Sequence, residues 1–129
     1  MNPQNKVIAV YGSLRKGMGN HGLISHSELL ETRVVNLPFK MISLGGFPGL
    51  VRDTQENEIT IELYEVDQPT YQRVERLEGY PTFYDKYPFE LPEYESPVEI
   101  YILNEKDGYY SRKGEQLTHI SDWVKYRYK

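Results

Sequence analysis

The chain has 129 residues, a formal net charge of −4 and no cysteine. That length fits one domain with a real core, the lack of thiols excludes a disulfide framework and thiolate chemistry, and the acidic balance excludes the clustered cations of a nucleic-acid binder. Tyrosine is over-represented, with 12 residues against 4 Phe and 1 Trp, which suits either a core with internal hydrogen bonds or a pocket for a polar ligand.

The segment before Val7 is polar, and the apolar run after it is too short for a signal sequence or a membrane span. The expectation is a soluble, cytoplasmic, single domain over residues 1–129, with neither membrane nor nucleic acid as partner. Val7-Ile8-Ala9-Val10-Tyr11 carries no charge and reads as a strand buried on both faces. It breaks at Gly12-Ser13-Leu14 into a loop whose backbone N–H groups can converge on one oxygen. His21 to Leu30 suggests a short helix or turn. From Thr32 to Leu44 the chain is β-like, and Pro38 within it indicates an edge strand or a bend. Gly45 to Gly49 is a turn, after which Leu50 and Val51 resume an extended chain. Over residues 58–66, Ile59, Ile61 and Leu63 alternate with Thr60, Glu62 and Tyr64, the pattern of a half-buried strand.

Asp67 is placed to cap a helix with Pro69 in its first turn, running to Glu78 and stopped by Gly79 and Pro81. Phe83 to Leu91 and Val98 to Leu103 predict two further strands, joined by the turn-forming segment from Pro92 to Pro97. From Asn104 the chain is polar and rich in Tyr, with Trp123 and the basic residues Lys125, Arg127 and Lys129 near the end. Strands outweigh short helices, so the expected class is α+β, a mixed sheet curled into a small barrel with few short flanking helices.

Two glycine patterns fail as phosphate cradles. Gly12-x4-Gly17 is followed by Met18 and Gly19 where a P-loop needs Lys and Ser/Thr, and the G-x-G-x-x-G match at Gly17 to Gly22 begins too far past the strand. His21 and His26 are five apart and His119 is remote, so no metal site is expected. Nothing orients a histidine toward Ser13 for a catalytic triad. The informative acid is Glu78. At roughly 100° per residue it falls within about 40° of Val74, on the side of Tyr71 and Leu77, while Gln72 and Arg76 point away. A carboxylate on an apolar face at a helix C-terminus has a raised pKa, which suits a general acid/base. The structural alternative is a helix that frays after Leu77 and leaves Glu78 in solvent.

Two stretches carry a resemblance: Val10-Tyr11-Gly12-Ser13-Leu14-Arg15-Lys16-Gly17 with Asn20-His21, and Arg76-Leu77-Glu78-Gly79-Tyr80-Pro81 followed by Tyr84. With Phe47-Pro48-Gly49-Leu50-Val51, Glu62-Leu63-Tyr64-Glu65-Val66, Tyr101 and Asp122-Trp123, the ordered set resembles the γ-glutamylcyclotransferase-like (AIG2-like) family, most of all its γ-glutamylamine cyclotransferase branch. The resemblance implies a small barrel and a pocket in which Tyr11, Gly12, Ser13 and Leu14, with Tyr84 and Tyr101, bind a small γ-glutamyl substrate. It implies Glu78 as acid/base for attack of the substrate's own α-amino group on its γ-amide carbonyl, releasing 5-oxoproline, with no cofactor or metal. Two positions depart from the pattern: Lys86 where Arg is frequent, which weakens any bidentate contact, and Ile61 where Gly is frequent, which reshapes the strand pairing. A non-catalytic binding or regulatory module using the same pocket is the alternative, and an interaction role for the Tyr-rich C-terminal stretch is a third reading.

Overall fold

The uncharged strand near the N-terminus lies at the centre of the sheet. The computed structural model describes residues 4–105 and 118–128. In it β1 (Lys6–Val10) pairs antiparallel with β3 (Pro48–Val66) and parallel with β5 (Val98–Leu103). β2 (Glu28–Ser43) flanks β3 and β4 (Tyr84–Phe89) flanks β5, giving a mixed five-stranded sheet in the order β2-β3-β1-β5-β4. A 3-10 turn (His21–Ile24) precedes β2, α1 (Gln68–Glu78) follows β3, and α2 (Trp123–Arg127) comes after β5.

Both faces of the sheet are covered, which explains why β1 carries no charged residue between Val7 and Val10. Val7 and Ala9 join Phe39, Ile61 and Trp123 on one face. Ile8 and Val10 pack with Tyr64, Tyr71 and Val74 on the other, under α1. Burial of each such side chain stabilises the fold by about 1.5–3 kcal/mol.

The expected barrel does not form. β2 and β4 are the two edges of the sheet and no ladder joins them. The sheet curls far enough for Phe39 of β2 to meet Tyr87 of β4 edge to face, at 4.8 Å between ring centroids. Side chains therefore span the gap that main-chain pairing would have to close in a barrel.

Local structure departs from expectation in further places. The half-buried alternation expected over residues 58–66 breaks down at 61–64, where Glu62 and Tyr64 are buried along with Ile61 and Leu63, because their face lies under α1 and the loop after β1. The short helix or turn expected from His21 to Leu30 is present as a 3-10 turn but is shorter, ending at Ile24, and β2 is already paired with β3 at Glu28. At the far end α2, which the polar composition concealed, is capped by Asp122, whose side chain accepts from Lys125 N. Residues 106–117 of the Tyr-rich stretch lie outside the described residues. Pro38 behaves as its residue type requires, at a register shift between Leu37 and Phe39 on the outer strand. Among the described residues no helix is long and apolar enough to cross a membrane.

α1 starts and stops where its sequence punctuates it. The Asp67 carboxylate accepts from Thr70 N at 2.9 Å. At the other end Gly79 adopts φ 65°, while its N–H donates to Arg76 O at 3.1 Å and that of Tyr80 to Glu75 O at 3.0 Å. This paired closure favours glycine and locks the last turn, so the helix does not fray before Glu78.

Candidate active site

Parallel pairing brings the carboxyl ends of β1 and β5 to the same end of the sheet, where the chain leaves β1 as a loop. A cavity of about 520 Å³ opens there. Tyr11, Gly12, Ser13 and Leu14 line it from the loop, Glu78 from the end of α1, Tyr84 from β4 and Tyr101 from β5. The seven residues singled out from the sequence therefore share one cavity. Phe47, Leu77, Phe83, Arg127 and Tyr128 line it too, although sequence reasoning gave them no place in the site. Phe47 and Leu77 carried a signal, through the Phe47-Pro48-Gly49 and Arg76-Leu77-Glu78 stretches; the others are brought in by the entry to β4 and the end of α2.

The loop is held from several sides. Arg15 N donates to Gly12 O at 3.0 Å and Asn20 N to Ser13 O at 2.9 Å. The Asn20 side chain donates to Ser13 Oγ at 2.9 Å, and His21 Nδ1 lies 2.9 Å from Leu14 O. Among the described residues the N–H groups of Gly12, Ser13 and Leu14 donate to no protein acceptor. Three consecutive amides at the cavity wall are thus free for a guest anion or carbonyl.

Gly12 is required by close approach. A Cβ there would stand 2.7 Å from Pro48 Cγ and 2.8 Å from Cδ. Gly12→Ala is expected to cost about 1–3 kcal/mol of stability through overpacking. Urea denaturation checks it, and an unchanged midpoint would show that Pro48 yields freely.

Behind the loop lies a buried ionic cluster. Arg15, 7% exposed, donates from Nε to Glu62 Oε2 at 2.8 Å and from Nη1 to Asp122 Oδ1 at 2.9 Å. Glu62 also accepts from Lys16 N and from the Tyr64 hydroxyl, each at 2.8 Å. Burial would raise the Asp122 carboxyl, but the Lys125 N–H and the Arg15 guanidinium outweigh it and hold the group below its ordinary range. Three stretches far apart in sequence, the loop, β3 and the cap of α2, are joined through one guanidinium.

Glu78 lines the cavity, and among the described residues no cation is paired to it. Burial alone pushes its carboxyl up to about 7. Leu77, expected on the buried face beside it, is instead 44% exposed at the cavity rim, because the last turn of α1 overhangs the open end.

The tyrosines divide by what their hydroxyls do. Tyr11 donates to Tyr101 O and Tyr84 to Pro48 O, both at 2.7 Å, so these two hydroxyls hold the walls together. Tyr101, 3% exposed, has a buried hydroxyl with no hydrogen-bond partner among the described residues. Burial, with the nearby Tyr71, Glu75, Glu99 and Glu78, raises its pKa far above the usual phenol range, so it is a neutral O–H donor.

Lys86 acts as a single-point hub rather than a fork. Its Nζ donates to Glu75 at 3.0 Å and to the Tyr71 hydroxyl at 2.5 Å, and sits 4.2 Å from the Tyr80 ring centroid. Tyr80 in turn lies edge-on to Tyr101 at 6.5 Å. Ile61, the other departure, is fully buried and pairs with Arg33 without a register shift at that position.

A family model described as gamma-glutamyl cyclotransferase, AIG2-like, matches residues 8–125. A Vibrio cholerae protein whose name assigns it provisionally to the gamma-glutamylcyclotransferases is 34% identical over 117 residues, covering 91% of this chain and 94% of that one. The gamma-L-glutamyl-butirosin B gamma-glutamyl cyclotransferase of Niallia circulans is 31% identical over 128 residues, covering 93% of this chain and 76% of that one. Among solved structures, an uncharacterized protein from Pyrococcus horikoshii superposes with a TM-score of 0.72 at 22% identity, covering 95% of this chain and 92% of that one, a likeness of fold.

Proposed function

The chain belongs to the gamma-glutamyl cyclotransferase, AIG2-like family, and from that premise we propose that it is a cyclotransferase that closes the γ-glutamyl group of a small amide to 5-oxoproline and releases the amine. The observation that carries the reading is the pairing, across one cavity, of a half-buried Glu78, without an ion-pair partner among the described residues, with the free amides of Gly12, Ser13 and Leu14. The amides take the substrate α-carboxylate. So held, the substrate folds its α-nitrogen onto its own γ-carbonyl carbon, and attack becomes intramolecular.

Glu78 takes the proton that the α-nitrogen gives up as the new C–N bond forms. It returns that proton to the leaving nitrogen as the old C–N bond breaks. Nucleophile and leaving group both belong to the substrate, so the reaction balances without a cofactor. Incubating the purified protein with γ-glutamyl dipeptides and amides and measuring 5-oxoproline by chromatography tests the reading. Ligand-induced thermal stabilisation with no 5-oxoproline would instead make the pocket a binding module.

Tyr101 donates its unpartnered hydroxyl to the substrate. Tyr101→Phe is therefore expected to lower kcat/KM about tenfold while leaving the fold equally stable, or more stable by about 1 kcal/mol, because a buried unpaired hydroxyl is removed. Kinetics and urea unfolding of the same variant check the two halves, and a destabilised variant would show that the hydroxyl supports the fold.

A further inference from the structure

The cavity differs from its floor to its mouth. Tyr11, Tyr84 and Tyr101 at the floor are each less than 8% exposed. At the mouth stand Phe47 at 39%, Leu77 at 44%, Phe83 at 36% and Tyr128 at 68%. Phe47 and Phe83 face each other with ring centroids 6.3 Å apart. Four of the eight large hydrophobic side chains exposed among the described residues thus gather at one opening. Scattered exposed hydrophobics need no account, but a cluster at the lip of a cavity marks a contact surface.

The charges are equally sparse. Among the described residues the cavity is lined by one acid, Glu78, and one base, Arg127. Arg127 is exposed and enters no ion pair or hydrogen bond among them. Arginine suits a carboxylate through its planar fork of donors.

Resting on the cyclotransferase reading, burial also orients the substrate. The γ-glutamyl head takes the floor, where the free amides and the Tyr101 hydroxyl are, and the leaving group projects through the mouth. We propose that this mouth selects γ-glutamyl derivatives of apolar, especially aromatic, α-amino acids, whose side chain lies on Phe47, Leu77 and Phe83 and whose α-carboxylate is met by Arg127. A leaving group bearing extra ammonium groups finds no acid beyond Glu78 among the described lining residues and faces Arg127, so diamine conjugates are disfavoured.

The test is a comparison of kcat/KM for γ-glutamylphenylalanine, γ-glutamylglycine, γ-glutamylphenethylamide and γ-glutamylputrescine, with calorimetric binding of the same four. The phenylalanine compound is expected to exceed the glycine compound about tenfold, and the carboxylate-free phenethylamide about fivefold. Arg127→Ala should bring that fivefold ratio to about one, and Phe47→Ala should narrow the ratio of phenylalanine to glycine. Equal or better use of the glycine or putrescine compound would overturn the inference and leave the cyclotransferase reading standing, as would an Arg127→Ala variant that keeps the fivefold ratio. Absence of 5-oxoproline from all four would overturn the cyclotransferase reading, and the binding order would then decide the preference by itself.

Discussion

Glu78→Gln is expected to lower 5-oxoproline release by about 10²–10⁴-fold, the range for removing a positioned general acid/base. The amide keeps the shape and loses the proton traffic, so substrate binding should change little, and calorimetry with a γ-glutamyl dipeptide separates the two. The same carboxyl sets the pH dependence. With a folded pKa of about 7, kcat/KM should rise about tenfold per pH unit below 7 and level off above it. A rate that stays flat from acid to neutral pH would remove Glu78 as proton acceptor.

The stability of Glu78→Gln moves the other way. An ordinary glutamate titrates at 4.5 and this one at about 7, so the folded chain holds the proton more tightly than the unfolded chain does. The stability this provides is complete below pH 4.5 and is lost as pH rises through 7. The variant never ionises, so it should match the parent in acid and exceed it at pH 8 by about 2–3 kcal/mol. Denaturant midpoints at the two pH values check this.

Arg15→Ala is expected to destabilise the protein by about 3–5 kcal/mol, since it leaves Glu62 and Asp122 buried without their cation. The loss should exceed that of a surface pair such as Arg33 with Glu93, where about 0–1 kcal/mol is at stake. Urea unfolding of Arg15→Ala and Arg33→Ala side by side makes the comparison. A loss below about 1 kcal/mol for Arg15→Ala would show that water replaces the guanidinium. Replacing Arg15 and Glu62 together by Met and Leu should restore part of the loss, because the buried Glu62 charge is then gone and only Asp122, which still accepts from Lys125 N, has lost its cation.

Much of the candidate site was legible in local residue chemistry. An uncharged run ending in Gly-Ser, and a carboxylate on the apolar side of a short capped helix, are signals carried by neighbouring residues and a known period. The roles of the tyrosines were not legible in the same way. Tyr11, Tyr84 and Tyr101 are alike as residue types, and only the placement of Tyr101 O and Pro48 O leaves two hydroxyls bonded and the third unpartnered. Arg15 shows the same limit. Its partners are 47 and 107 positions away, and nothing in Arg15-Lys16-Gly17 points to either.

The fold class and the punctuation of α1 follow from the sequence by itself, because caps, turn residues and hydrophobic period act over a few neighbours. So does β1 as a strand covered on both faces. Whether the sheet closes, which side chains rim the cavity, and that Glu62 lies under cover depend on how strands far apart in the chain pair and curl. Those are long-range packing outcomes. The sheet stays open because β2 and β4 meet through Phe39 and Tyr87 rather than through a ladder, and no local pattern encodes that difference.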